Sequence, residues 1–411
     1  MVFQFAPYPA DLGPAKRNFP FFQENLKRHD VTVLSFGTPE EKQKIDAVFG
    51  DKCRVVYVNN KRPRALNFLL RIWLLLTGRS SYRRFYSWKM QRAIDQLVKE
   101  EQFDLIHCCT TMLGYHKFPR HIPLVGDTHN VEYDAVYRAY KQTSSFVKPY
   151  FYWEYLRVKQ EELQNCEPFH VMIATTQQDY KKFRAVLPNK KIHIIPNGVD
   201  LAFFQNQKVK EEERTLVFTG LMSYYPNNHG ILYFLDEIFP LILEQAPDAK
   251  ITIVGAEPPK KLQRRASDNI TVTGFVDDVK PYFARGQVFV IPLKIGGGIR
   301  GKALEAMAMR RPIVSTTLGC EGINLKHEDS ALFADTPEEF AQAVIRMFNE
   351  PELRTRLTEK AYRNVLDGYS WEVNGLALDR VYQSLLDKHK APALSRTHSF
   401  AELPEGEQKL A

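Results

Sequence analysis

Cysteine is scarce in this sequence and never paired at metal-binding distance: Cys53, Cys108, Cys109, Cys166 and Cys320 form an odd set without CxxC spacing. That argues against both a zinc site and a disulfide framework, and the five residues read as reduced, mostly buried thiols. Long apolar runs are missing too. The longest, Leu66 to Leu76, is interrupted by Asn67 and Arg71 and is about half of the roughly 20 residues that cross a bilayer. The opening MVFQFAPYPADLG has no basic stretch followed by an apolar one, so a cytoplasmic location is expected. No GxGxxG follows either first strand, which speaks against an NAD-dependent oxidoreductase. Neither a DxD segment nor a His/Cys cluster suggests a metal, and none is expected. No repeat of fixed period and no groove-binding or base-stacking module is present, so nucleic acid is not an expected partner.

What is present is ordinary globular composition at unusual length for one core. With 411 residues, 44% hydrophobic and 25% charged, the chain should divide into two domains. The formal charge of +8 favours an anionic partner, a condition that nucleotide diphosphates and anionic lipid both meet. Short β-branched runs alternate with helical patterns, the signature of parallel sheets covered by helices on both faces. In the first half the strands are MVFQFA, VTVLSF, Asp104 to Cys108, Pro123 to Gly126 and Val171 to Ala174, with a helix from about Phe19 to Arg28. The second set is LVFTG, KITIVG, NITVTGF, QVFVIPL and RPIVST, with a helix from His229 to Glu244. Pro196, Asn197 and Gly198 mark a turn between the sets.

The fold class expected is therefore α/β, with two Rossmann-like doubly wound domains facing a central cleft. Residues 1–195 form the first and 196–371 the second. A helix over 372–390 should cross back to the first domain, and 391–411 read as a polar, disordered tail.

The segment IPLKIGGGIRGKALEAMAMRRPIVST reads as strand, glycine loop, helix, strand. Glycines 296 to 298 allow backbone N–H groups to approach a ligand closely, and the helix that follows turns its positive end to them. That arrangement suits a diphosphate. Lys302 and Glu305 share one helix face, placing a cation near phosphate and a carboxylate one turn on, where ribose hydroxyls could donate to it. On residues alone, a tight turn with a surface Lys302–Glu305 pair explains the same pattern.

The pattern GxGxRxKxLEAMAxxxPxVST, with GCEGI at 319–323, resembles the nucleotide-sugar site of family 4 of the retaining glycosyltransferases, which have the GT-B fold. It is most similar to the bacterial branch assembling cell-surface polysaccharide. APYPADLG, GDTHNVE, IIPNGVD, FTGLMSYYPNNHG and TGFVDDVKPYFARGQVFVIPL extend the likeness to about residue 390. The resemblance implies a retaining transfer from a nucleoside-diphosphate sugar without cofactor or metal. Its donor-side residues would be Gly13, Gly220, Asn227, Val276, Gly297, Gly298, Ile299, Arg300, Lys302 and Glu305. His129 would lie at the reacting sugar and acceptor, with Asp127 and Glu132 nearby.

Two departures from the family pattern shift the chemistry. Gly297 stands where relatives carry the first of two glutamates, and FTGLMSYYPNNHG has no basic residue where many carry a pair. Arg300 and Lys302 are expected to neutralise the diphosphate instead; the alternative is an Arg300 that points to solvent. Lys16 and Arg17 either add charge or form a solvated helix start. Asp277 and Asp278 read as helix-capping and surface residues.

The acceptor is expected to be a saccharide or lipid-linked saccharide. Arginines interleave with leucines and aromatics over 62–92, a composition that suits an anionic membrane surface or a lipid route, although the reading preferred for Leu69 to Leu76 is core. Residues 148–159 look similar. A catalytically inactive sugar-nucleotide binder is the rival reading.

Overall fold

The computed structural model describes residues 1–9, 14–59, 63–143, 146–205, 209–296 and 298–395. They form two parallel sheets. The first is seven-stranded in the order β3-β2-β1-β4-β5-β6-β7, from β1 (Val2–Phe3), β2 (Thr32–Phe36), β3 (Arg54–Val58), β4 (Ile106–Cys108), β5 (Leu124–Asp127), β6 (Val171–Ala174) and β7 (Lys191–Ile194). Its helices are α1 (Ala15–Leu26), α2 (Pro39–Phe49), α3 (Arg64–Leu76), α4 (Trp88–Glu100), α5 (Glu132–Gln142), α6 (Lys148–Cys166) and α7 (Gln177–Val186).

The second sheet is six-stranded in the order β10-β9-β8-β11-β12-β13, from β8 (Glu212–Thr219), β9 (Lys250–Val254), β10 (Ile270–Gly274), β11 (Gly286–Ile291), β12 (Ile313–Ser315) and β13 (Leu332–Phe333). Around it lie α8 (Tyr225–Tyr233), α9 (Phe239–Gln245), α10 (Lys260–Gln263), α11 (Lys280–Arg285), α12 (Gly301–Ala308), α13 (Pro337–Asn349), α14 (Pro351–Gly368) and α15 (Trp371–Ser395). This is the expected α/β class with two doubly wound units.

Strands β4, β5 and β6 are buried along their whole length, as central parallel strands covered on both faces must be. The sequence reading passes over β3, β7 and β13. Each lies at a sheet edge, where RVVYV and KIHI are half-buried and carry charge or histidine, so the continuous apolar run is lost. Helix α1 starts four residues earlier than read, with Pro20 inside it. The helix read from His229 starts at Tyr225 with Pro226 in its first turn, and passes through a π-helical turn at Phe234–Ile238. One four-residue sequence, Thr-Pro-Glu-Glu, begins both α2 and α13. At each site the threonine and the second glutamate form a reciprocal capping box.

Helix α15 leaves the second unit and packs on the first. Leu378, Val381, Tyr382 and Leu385 share a buried cluster with Phe21 of α1, Val125 of β5 and Ile173 of β6. It continues through Ser395, five residues into the segment read as tail, and 396–411 lie outside the described residues. The turn Pro196-Asn197-Gly198 is held between the units. Asn374 donates to the Pro196 carbonyl at 3.0 Å, Val199 N–H donates to the Tyr369 carbonyl at 2.7 Å, and a Cβ on Gly198 would meet the Trp371 ring at 2.7 Å.

The core reading of Leu69 to Leu76 does not hold. Of that stretch only Leu74 is fully buried, and Leu69, Ile72, Trp73, Leu75 and Leu76 are exposed. Helix α3 carries apolar residues on more than one face, and it packs on the short helix at Ser81–Phe85, which leaves only the side at Leu74 covered. No helix of the described residues is long and apolar enough to cross a membrane.

Candidate active site between the two sheets

Loops from the carboxyl ends of both sheets converge, as the parallel topology requires. In the second unit, β8 runs into Gly220 and β11 into the glycine loop, with α12 following. Arg300 occupies the N-cap of α12 and makes no side-chain cap bond, so the first N–H groups of the helix are left for an anion in front of them.

Lys302 reaches back from that helix across the end of β8. Its Nζ donates to Asn227 Oδ1 at 2.8 Å and lies 4.0 Å from the centre of the Phe218 ring. Asn227 is fixed in turn by Nδ2 donating to the Leu221 carbonyl at 2.9 Å. Gly220 makes this approach possible: a Cβ there would stand 2.6 Å from Asn227 Nδ2 and 3.0 Å from Lys302 Nζ, at φ +156°. Burial pushes the Lys302 ammonium down to about 7, with Glu305 pulling the other way and Arg300 adding to the fall. The Lys302 ammonium is therefore directed to Asn227.

Glu305 is half-buried. Burial raises its carboxyl, while Lys16 and Lys302 draw it down. Lys16 belongs to α1 in the other unit, so a charge of the first unit acts on a carboxylate of the second. Arg300 is buried rather than turned to solvent. Its guanidinium packs against Gly296, where a Cβ would come within 2.8 Å of Nη2. Burial lowers its pKa, and Tyr224 and Glu321 raise it. Ile299 packs sideways into the second core, leaving its backbone for the loop, and Val276 is half-buried against the same core. Gly13 and Gly297 lie outside the described residues. Asp278 Oδ1 accepts from Lys280 N–H at 2.9 Å beside the start of α11, a local turn rather than the helix cap read for it, since Val279 holds the N-cap and the helix has no side-chain cap bond.

In the first unit, β5 delivers His129 to the cleft. Its ring Nε2 lies 2.9 Å from the Cys109 carbonyl. A carbonyl only accepts, so the proton sits on Nε2 and Nδ1 keeps a lone pair for a hydroxyl. Burial lowers the imidazole pKa, Asp127 raising and Arg17 further lowering it, which favours the neutral ring. His129 borders a cavity of about 570 Å³ shared with Asn18, Thr110, Asn130 and Glu132. Burial raises the Glu132 carboxyl, which takes a hydrogen bond from Tyr82.

Asp127 is committed elsewhere. Arg17 grips it with Nε to Oδ2 at 3.0 Å and Nη2 to Oδ1 at 2.9 Å, both side chains almost wholly buried. The same guanidinium reaches Asn197 Oδ1 and the Ile195 carbonyl, each at 3.0 Å. Arg17 thus ties α1, β5 and the turn between the units together, and is no solvated helix start.

Three contacts across the cleft escaped the sequence reading. Arg138 of α5 donates to the Gly296 carbonyl at 3.2 Å and stands 3.8 Å from Glu321, and Asn130 Oδ1 is 3.2 Å from where a Cβ on Gly298 would be. Glu321 had a signal in GCEGI. Arg138 had none, because its partner lies 158 residues away in sequence.

Residues 24–203 match the model of glycosyltransferase family 4, and 213–350 match that of glycosyl transferases group 1. An uncharacterized 44.6 kDa protein in the cps region of Klebsiella pneumoniae is 24% identical over 82% of this chain and 88% of its own. An uncharacterized glycosyltransferase of Methanocaldococcus jannaschii is 24% identical over 71% of this chain and 79% of its own. A lipopolysaccharide core biosynthesis mannosyltransferase of Rhizobium leguminosarum is 30% identical over 48% of this chain and 61% of its own. Among solved structures, sucrose-phosphate synthase from Thermosynechococcus elongatus superposes with a TM-score of 0.65 at 16% identity, covering 94% of this chain and 98% of that one. Anabaena HepE in complex with UDP-glucose gives 0.65 at 13% identity, over 93% and 98%. These likenesses show the fold.

Proposed function

This chain belongs to the group 1 glycosyltransferases of GT-B fold, and we propose that it moves a sugar, with retention of configuration and without a metal, from a nucleoside-diphosphate sugar to a saccharide or lipid-linked acceptor. The observation that carries this reading is the cluster of Lys302, Asn227 and Glu305 at the end of β8, with the charge of Lys16 from the other unit acting on Glu305.

The leaving group departs with negative charge, and fixed positive groups aimed at it lower the barrier. The uncapped start of α12, Lys302 and Arg300 are the groups placed to do so. Glu305 would accept from the ribose hydroxyls. His129, neutral and with Nδ1 open, would orient a hydroxyl of the donor sugar or acceptor. The UDP-glucose bound by HepE makes UDP sugars the first donors to try. The lipopolysaccharide role in the name of the Rhizobium relative supports cell-surface polysaccharide or glycolipid as the product. The exposed apolar face of α3 supports peripheral contact with the inner face of an anionic membrane.

A thermal-shift screen of nucleotide sugars finds the donor, because a ligand of the native state raises apparent stability by mass action. Release of nucleoside diphosphate in the presence of EDTA, and the anomeric configuration of the product by NMR, then test the reaction. Glu305→Ala should weaken nucleotide binding by about 1–3 kcal/mol; wild-type affinity by calorimetry removes the ribose role. His129→Ala should damage turnover more than donor binding, and equal damage to both points to a folding role. Donor binding with no release for any acceptor would establish the inactive binder instead.

A further inference from the structure

The cavity beside His129 does not end in the cleft. Its far wall includes Ser81, Arg84, Tyr150 and Glu154, and these same residues wall a second cavity of about 240 Å³. Arg71, Leu75 and Arg79, in α3 and just after it, line the second cavity's other side. Sharing this wall, the two spaces lie in succession from His129 to α3 and outline a passage that is interrupted at the shared side chains.

Three features of this passage bear on what would occupy it. The first is charge. Between Asp51 and Asp95 the chain carries eleven lysines and arginines and no aspartate or glutamate, and Arg71, Arg79 and Arg84 bring part of that excess to the passage. Arg71 and Arg84 line the second cavity together with Tyr150, and both lower the Tyr150 hydroxyl, which burial and Glu154 raise. The second is an orphan acceptor. Glu154 is 4% exposed, its Oε1 accepts from Ser81 N–H at 2.8 Å, and its Oε2 has no hydrogen-bond partner. A buried carboxylate oxygen left so is costly unless a donor arrives from elsewhere. The third is apolar surface at the outer mouth, where Leu66, Phe68, Leu69, Trp73, Leu75 and Leu76 are all exposed.

A ligand that satisfies all three has an anionic group, a hydroxyl and an apolar chain. We propose that the passage is the acceptor site for a phosphate-bearing lipid: Arg71, Arg79 and Arg84 hold the phosphate, Glu154 Oε2 accepts a head-group hydroxyl, and the chain lies along α3. The hydroxyl to be glycosylated then reaches His129. Arginine forks suit phosphate in both charge and geometry. A second copy of this chain is a poor occupant, because its own basic α3 segment would be brought against like charge. The inference deepens the glycosyl-transfer reading and rests on it for the direction of the acceptor, whereas the phosphate site can be tested without it.

The test is calorimetry on the full chain with dodecyl phosphate, dodecyl glucoside and inorganic phosphate, the first two below their aggregation thresholds, and with UDP titrated into the same samples. Dodecyl phosphate should bind at least about tenfold more tightly than either control, since both anchors are needed. The double variant Arg71→Gln/Arg84→Gln should lose about tenfold for dodecyl phosphate while keeping wild-type affinity for dodecyl glucoside and UDP, the latter reporting an intact fold. The surface variant Leu69→Ser/Leu76→Ser should weaken both dodecyl ligands and leave inorganic phosphate unchanged. Equal affinity for phosphate and glucoside heads, or wild-type dodecyl phosphate binding by the double arginine variant, overturns the phosphate site. Inorganic phosphate binding as tightly as dodecyl phosphate overturns the lipid part, and dimerisation through α3 by sedimentation overturns the whole. Dodecyl phosphate binding without any UDP binding would sustain this site and remove the donor reading.

Discussion

The unit built on β8 to β13 gathers its buried side chains into one cluster running from Val199 to Tyr369, whereas the unit built on β1 to β7 divides them among three and leaves an apolar helix face to solvent. A single close-packed core holds a helix terminus, a lysine and a carboxylate in fixed relation, as recognition of a nucleotide demands. The separate smaller clusters of the first unit are tied together by polar contacts such as Arg17 with Asp127.

The sharpest break in that contrast is the polar tie of the first unit. Arg17→Ala strands the Asp127 carboxylate in the interior and frees the turn at Asn197, so unfolding in urea should show a loss of about 3–5 kcal/mol. A loss under about 1 kcal/mol would mean that the three clusters hold the unit without it.

The candidate donor side should respond to pH through Lys302. Lys302 is brought down to about 7 by burial, so it is charged below that pH and increasingly neutral above it. A bound diphosphate favours the charged form and raises the value again. Affinity for UDP should therefore be level below pH 7 and fall on the order of tenfold by pH 9, read by calorimetry at fixed ionic strength. Lys302→Met should weaken binding at pH 6.5 and flatten the profile; an unchanged slope in that variant would assign the titration to another group.

The smallest expected effect is on stability at α3. Leu76 is 80% exposed, so Leu76→Ser should shift unfolding by no more than about 0.5 kcal/mol. It should lower sedimentation with vesicles of anionic phospholipid. A large stability loss would return α3 to the core.

The donor site was readable in the sequence because its parts are local. Gly296, Arg300, Lys302 and Glu305 fall within ten residues, between a strand and a helix whose apolar patterns are plain, and spacing alone puts Lys302 and Glu305 on one face. The same locality could not say that Lys302 would turn to Asn227, 75 positions away, or that Arg300 would be buried toward Tyr224 and Glu321. Edge strands β3 and β7 were missed because half-exposed strands need no continuous apolar run, and α3 was misread because a leucine-rich helix looks alike whether protein or solvent covers it.

The two alternating strand and helix sets, the turn at Pro196 to Gly198 and the glycine loop with its helix are written in the chain itself, since each depends on near neighbours and on backbone preferences carried residue by residue. It took the folded chain to show that Arg17 serves Asp127 rather than solvent, that Lys16 of the first unit acts on Glu305 of the second, and that α3 shows its leucines outward beside Arg71 and Arg84. Those outcomes depend on which distant groups share a buried space, and no span of chain encodes that distance.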